Sequence, residues 1–183
     1  MLDRIVAVVL LLVISPVLLL VLIIVAVEDG YPVIFSQKRV GRNGKKFRFY
    51  KVRTMKRNAP EMASKDFIEV EKFLLKSGAF FRKSSIDEIP NLINIVKGDM
   101  KFIGPRPLLA SEENIQHLRR RYAISTLKPG ITGWAQVNGR DAVSDERKVV
   151  LERYYLRNRS FTLDMHILWR TAVGVLRATG VRF

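Results

Sequence analysis

The chain of 183 residues contains no cysteine. Disulfides and thiolate metal centres are therefore excluded. Histidine is nearly absent, and the two present, His117 and His166, show no usable spacing. Nothing points to a histidine-built metal site. No Walker A or GxGxxG pattern occurs, so kinase-like and Rossmann nucleotide binding lack support. There is no internal repeat and no low-complexity segment. Acid is scarce: 17 Asp and Glu stand against 32 Lys and Arg, a formal net charge of +15. That balance points to phosphate-bearing partners, whether nucleic acid, anionic lipid or nucleotide. A hard cation held by carboxylates stays open, because magnesium prefers oxygen ligands and keeps its waters.

What is present in abundance is an apolar run. IVAVVLLLVISPVLLLVLIIVAV, residues 5–27, carries no charge. A membrane helix needs about 20 such residues. The run is too long for a signal peptide, and no small-x-small cleavage site comes after it. The Lys- and Arg-rich segment behind it belongs on the cytoplasmic side by the positive-inside rule. Ser15-Pro16 falls almost at its middle. Proline removes a backbone donor and strands the carbonyl of Leu12, which the Ser15 hydroxyl is placed to satisfy. Two readings are open. The helix spans with a kink, or it folds back as a hairpin whose halves each reach about 16 Å into a core of about 30 Å.

Downstream, PVIFSQ and KFRFYKVRTM around Gly41-Arg-Asn-Gly44 predict a β-hairpin with a basic tip. Residues 61–76 read as a helix. In RKSSIDEIPNLINIVKGDM (82–100) a helix starts near Ser85 to Asp87 and stops at Gly98. Ser85 and Glu88 match a capping box. Pro90 is tolerable only in a first turn. GDMKFIGPRPLL (98–109) and LKPGITGWAQVNGRDAVS (127–144) read as structured loops, and 111–123, 144–158 and 160–180 as helices.

Asp87 and Glu88 are the residues whose chemistry is in question. Capping a helix explains them simply. Neighbours on a helix point about 100° apart, so the two acids are not expected to act at one point. A helix start also attracts phosphate, and an ionised Asp beside phosphate needs cations. Arg82, Lys83, Arg106 or a magnesium ion could supply them. Arg106, between two prolines, is either a surface turn residue or a pre-oriented fork for phosphate. Lys51, Arg53 and Arg140 fit a phosphate cluster too, although each singly reads as a solvated charge. Trp134 reads as packing, base stacking or an interfacial anchor.

The proline-broken apolar segment, FYKVRTM, SSIDEIPNLINIVKGDMKFIGPRPLL, and LKPGITGWAQVNGR with SFTLDMHI occur in that order. Together they closely resemble the bacterial sugar transferase family, the small monotopic phosphoglycosyl transferases. The resemblance covers essentially the whole chain. It implies transfer of a sugar 1-phosphate from a UDP-sugar to undecaprenyl phosphate, with release of UMP. It implies that Asp87 is the nucleophile of a phosphosugar–enzyme intermediate and that Glu88 is its partner near magnesium and the acceptor phosphate. Both would then lie at the metal. Arg82 and Arg106 match arginines associated with the active site. The resemblance also favours the re-entrant reading at Ser15 and Pro16.

The expected architecture is α+β and mainly helical. A re-entrant membrane helix (1–27) anchors a compact cytoplasmic catalytic domain (28–183) with interfacial amphipathic helices and the small hairpin. The expected location is the cytoplasmic face of the bacterial inner membrane, with membrane lipid as a partner, no nucleic acid, and a homodimer allowed. Relative to longer members, no multi-span N-terminal region is expected. Two rivals are weaker. A membrane-tethered nucleic-acid binder fits the charge but leaves an Asp-Glu pair among cations unexplained. A two-carboxylate glycosidase wants carboxyl groups about 5 Å or more apart, usually on separate elements.

Overall fold

The computed structural model describes residues 1–59, 70–139 and 143–177. The first element, helix α1, runs from Leu2 to Asp29 with Pro16 inside it. The Ser15 hydroxyl donates to the Leu12 carbonyl at 2.8 Å. This is the group that Pro16 leaves without its helical donor. At 1.5 Å per residue the helix is about 42 Å long.

Both halves of α1 dock against the rest of the chain. In the first half, Ala7, Leu10 and Leu11 pack with Phe47, Phe49, Leu92, Ile95 and Met100. In the second, Leu18, Val21, Leu22 and Val25 pack with Val52, Leu75 and Phe81. Steps of three and four residues put these side chains on one stripe. Much of the rest of the helix, including Leu12, Val13, Leu20 and Val27, is exposed. The ends are tied by polar groups. Asp3 Oδ1 accepts from the Phe102 amide and Arg4 Nη2 donates to the Lys97 carbonyl. At the far end, Arg53 Nη2 donates to the carbonyls of Asp29 and Gly30 at 3.0 and 2.7 Å. Those carbonyls belong to a helix terminus and lack intrahelical donors.

The expected hairpin is present. Strand β1 (Ile34–Val40) pairs antiparallel with β2 (Lys46–Val52), from Ile34 opposite Val52 to Val40 opposite Lys46. Asn43 and Gly44 take the left-handed conformation at its tip. Two fully buried asparagines, Asn91 and Asn94, tie the hairpin to the 86–97 segment. Asn91 Oδ1 accepts from the Tyr50 amide, and Asn94 Nδ2 donates to the Arg48 carbonyl at 2.7 Å.

The helix expected over 61–76 lies partly outside the described residues. Its described end differs from the expectation. Helix α2 is one turn, Val70–Phe73, and Leu74 then bridges Met55. The Leu75 amide donates to the Thr54 carbonyl, so extended pairing with 54–56 replaces helical bonds there. A short helix α3 (Gly78–Lys83) comes next, which its sequence pattern did not announce. Beyond it lie a 3-10 turn at Ile86–Asn91 and helix α4 (Leu92–Lys97), stopped by left-handed Gly98 as expected.

The two stretches read as loops form one unit. Strand β3 (Lys101–Ile103) pairs in parallel with β4 (Gly130–Thr132). A Cβ on Gly104 would stand 2.3 Å from the Lys128 carbonyl oxygen, and one on Gly130 would stand 2.1 Å from the Gly104 nitrogen. Only glycine permits that approach. Strands of three residues held by a distant segment leave little local periodicity to detect. Helix α5 (Glu113–Arg121), the turn α6 (Trp134–Val137), α7 (Asp145–Asn158) and α8 (Phe161–Leu176) complete the fold. Ser144 and Ser160 cap α7 and α8 by accepting from the amides of Arg147 and Leu163. Leu127, Tyr155 and Ile167 form the core beneath them. The protein is mixed α and β, mostly helical, with two small sheets among the described residues.

Candidate active site

The acids sit in the 3-10 turn between α3 and α4. Ser85 is left-handed, φ 59°, and its hydroxyl supplies no cap to the turn. The capping box expected at Ser85 and Glu88 is therefore corrected: the Glu88 amide bonds the Ser85 carbonyl instead. Both carboxylates turn toward β2. Lys51 Nζ donates to Glu88 Oε1 at 2.6 Å and lies 3.5 Å from Asp87 Oδ2. The expectation that neighbouring acids cannot serve one point is corrected as well. A single ammonium reaches both carboxylates from the neighbouring strand.

Burial sets their chemistry. Asp87 is 5% exposed. Burial pushes its carboxyl above the usual carboxylate range, and the Glu88 charge adds to this; Lys51 and Arg82 oppose it without cancelling it. For Lys51, burial alone favours the neutral amine, but Glu88 and Asp87 outweigh it and hold the ammonium above the usual lysine range. Arg82 stands at the end of α3, where its Nε donates to Thr54 Oγ1 at 3.0 Å. Burial lowers its guanidinium, opposed by the Asp87 charge. Asp87, Glu88, Lys51 and Arg82 thus form one electrostatic cluster.

Arg106 is exposed on the 104–109 loop. Its charge is felt at Lys51. Its carbonyl accepts from Arg119 Nη1, whose guanidinium also makes a buried ion pair with Glu152. That pair ties α5 and α7 to the loop. Arg53 points elsewhere. Besides the α1 carbonyls it pairs with Asp29 Oδ2 at 3.1 Å. Arg140 lies outside the described residues. Trp134 stacks on Tyr154 at 5.6 Å, the packing alternative of its three readings.

One residue that the sequence reading passed over belongs to this neighbourhood. Arg39 lies with its guanidinium carbon 5.5 Å from the Phe49 ring centroid, and Lys51 Nζ is 5.7 Å from the same centroid. Burial, then the Arg106 charge, pull Arg39 down to about 10, against Glu112 and Glu88. Strand alternation carried the signal. With Phe35 opposite Lys51 and Arg39 opposite Phe47, residues 39, 49 and 51 share a face.

Among the described residues no group of three or more His, Asp or Glu is placed to hold a metal. A metal caged wholly by protein is thus unsupported there. Two adjacent carboxylates do fit magnesium, which takes one or two carboxylates and fills its shell with water and substrate phosphate.

The family model described as bacterial sugar transferase matches residues 1–178. The chain is 44% identical over 162 residues to the sugar transferase EpsL of Bacillus subtilis (strain 168), covering 87% of this chain and 77% of that protein. It is 37% identical to the undecaprenyl-phosphate galactose phosphotransferase of Salmonella typhimurium (strain LT2), over 83% of this chain and 35% of that one. It is 35% identical to the UDP-glucose:undecaprenyl-phosphate glucose-1-phosphate transferase of Xanthomonas campestris pv. campestris, over 95% of this chain and 38% of that one. The chain therefore spans little more than a third of the last two relatives.

Proposed function

The chain belongs to the bacterial sugar transferase family, and from this we propose that it moves a sugar 1-phosphate from a UDP-sugar to undecaprenyl phosphate, releasing UMP. The observation that carries the reading is the buried Asp87 among Lys51, Glu88 and Arg82. In the first step Asp87 attacks the phosphorus that bears the sugar. The bond from that phosphorus to the bridging oxygen breaks, and UMP leaves with the electron pair. In the second step a phosphate oxygen of undecaprenyl phosphate attacks the same phosphorus. The aspartyl–phosphorus bond breaks and Asp87 is regenerated as a carboxylate. Such a transfer depends mainly on positioning and charge neutralisation. Lys51 and Arg82 neutralise the carboxylate and the phosphoryl oxygens, and Glu88 orients Lys51. Asp87 and Glu88 would hold magnesium, which when bound supplies further neutralisation of phosphate charge.

We also infer that α1 enters the inner membrane from the cytoplasmic face and returns to it. The support is that Asp3 and Arg4 at one end, and Glu28 and Asp29 at the other, bond to the same catalytic body. A helix running straight through the bilayer would carry one of those ends away from that body.

The experiment supplies the purified protein with labelled UDP-sugars. UMP release should require protein and be completed by undecaprenyl phosphate. Without acceptor, the phosphosugar label should remain on the protein and be absent from Asp87→Asn. UMP release with no trapped label, and label retained by the Asn variant, would each sink the aspartyl intermediate.

A further inference from the structure

We propose that Arg39 is a donor-binding residue, its guanidinium holding the diphosphate of the nucleoside diphosphate-sugar together with Lys51 and Arg106. This rests on the transferase reading above and adds a binding residue to the same site.

Three observations converge on it. The first is position. Arg39 and Lys51 both approach the buried Phe49 ring, and Lys51 touches both carboxylates. The second is anchoring. Arg39 Nη1 donates to the Pro107 carbonyl at 3.3 Å, so the guanidinium is tied to the loop that bears Arg106. The bridge between Val40 and Leu108 fixes the adjoining backbone, with the Val40 amide donating to the Leu108 carbonyl at 2.8 Å. The third is incomplete satisfaction. The buried Arg39 Nε has no hydrogen-bond partner among the described residues.

A guanidinium with an unpaired buried donor, beside a second arginine and a lysine, is costly without an anion to answer it. The nearby acids do not discharge it. Glu88 is engaged by Lys51, and Glu112 Oε2 accepts from the Leu109 amide at 2.7 Å. Burial and the Arg106 charge both disfavour the charged form of Arg39. A diphosphate carries two negative groups and several acceptor oxygens, and a guanidinium suits it better than an ammonium because its planar fork bonds two oxygens at once. The acceptor carries a single phosphate, and Lys51 with Arg82 already stands at the transfer point. The extra cation is therefore assigned to the donor.

The test uses the full chain in detergent or nanodiscs, with Arg39→Met and Arg39→Lys. UDP itself is the probe, titrated calorimetrically in magnesium buffer. We expect Arg39→Met to weaken UDP binding tenfold or more. Arg39→Lys should recover only part of the loss, because it restores charge without the fork. In turnover the loss should fall on the KM for the UDP-sugar far more than on the KM for undecaprenyl phosphate. UDP affinity within twofold of wild type in a folded variant overturns the proposal. A rise confined to the acceptor KM overturns it too, moving Arg39 to the lipid phosphate. If Arg39→Met does not fold, Arg39→Lys alone decides by the same two readouts. If the wild-type protein binds no UDP and releases no UMP from any UDP-sugar, the transferase reading itself has failed, which is a different result from intact wild-type binding unchanged by the variants.

Discussion

Asp87 is a carboxylate that the fold keeps ionised only at some cost. The unfolded chain has an ordinary aspartate, with a pKa of about 3.9. In the folded protein burial moves it upward. Below the unfolded value both states hold the proton, and the neutral acid costs the fold little. As pH rises the unfolded state releases its proton first, so stability falls until the folded carboxyl has also ionised. Asp87→Asn removes this penalty. We expect the variant to melt no lower than wild type at neutral pH, with its advantage growing from about pH 4 upward. Melting curves of both proteins across that range check the sign; a variant less stable at neutral pH would contradict it. Activity should fall below about a hundredth of wild type, or about 2.7 kcal/mol in barrier height. In the proposed mechanism only the ionised acid attacks, so the wild-type rate should rise with pH on an acid limb above the ordinary carboxylate range.

The paired loops give a second prediction. Gly104 and Gly130 bring β3 and β4 together at backbone contact, and the Gly104 turn leads directly into Pro105, Arg106 and Pro107. Gly104→Ala forces a Cβ into the Lys128 carbonyl. Overpacking of this kind costs about 1–3 kcal/mol, and it should displace Arg106 at the same time. We expect a lowered melting temperature and a larger fractional loss of transfer than an equally destabilising substitution in α7 produces. Equal losses from the two would mean that the loop does not position Arg106. For α1, replacing Ser15 and Pro16 together with leucine removes the proline clash and restores the missing backbone donor to the apolar helix. We expect this double variant to shift toward spanning and to lose activity. An engineered N-terminal cysteine in an otherwise cysteine-free chain reports the change. In intact cells an impermeant maleimide should label the double variant more than wild type, and strong labelling of wild type from outside would overturn the re-entrant reading.

The elements that the sequence announced are those with strong local signals: the charge-free run, the hairpin around Gly41–Gly44, Gly98 as a stop, and the helices from Glu113, Asp145 and Phe161. Asp87, Glu88, Lys51 and Arg82 could be nominated from residue type and resemblance. Their meeting point could not, because Lys51 reaches the acids across 36 and 37 positions of chain. Nothing in the sequence announced that Arg53 also ties the end of α1 through its Nη2. Arg39 was hidden for the converse reason, since a basic hairpin offers many equivalent charges until register selects one face. α3 escaped because six residues give too little periodicity to read.

In the proposed reaction one site serves a soluble donor and a lipid acceptor in turn. We expect parallel double-reciprocal plots, with UDP-sugar alone loading the protein and undecaprenyl phosphate discharging it; intersecting plots would favour direct transfer. The docking of both halves of α1 has a consequence in time. During synthesis α1 leaves the ribosome before its partners between Phe47 and Met100. Until they arrive, the stripe of Ala7, Val21 and Val25 is as ready for lipid as the rest of the helix. Under the proposed membrane reading the nascent chain therefore meets the bilayer before it has a body to lie against. Completion of the later segments then claims that stripe, so under the proposed membrane reading assembly itself selects the lasting orientation of the anchor.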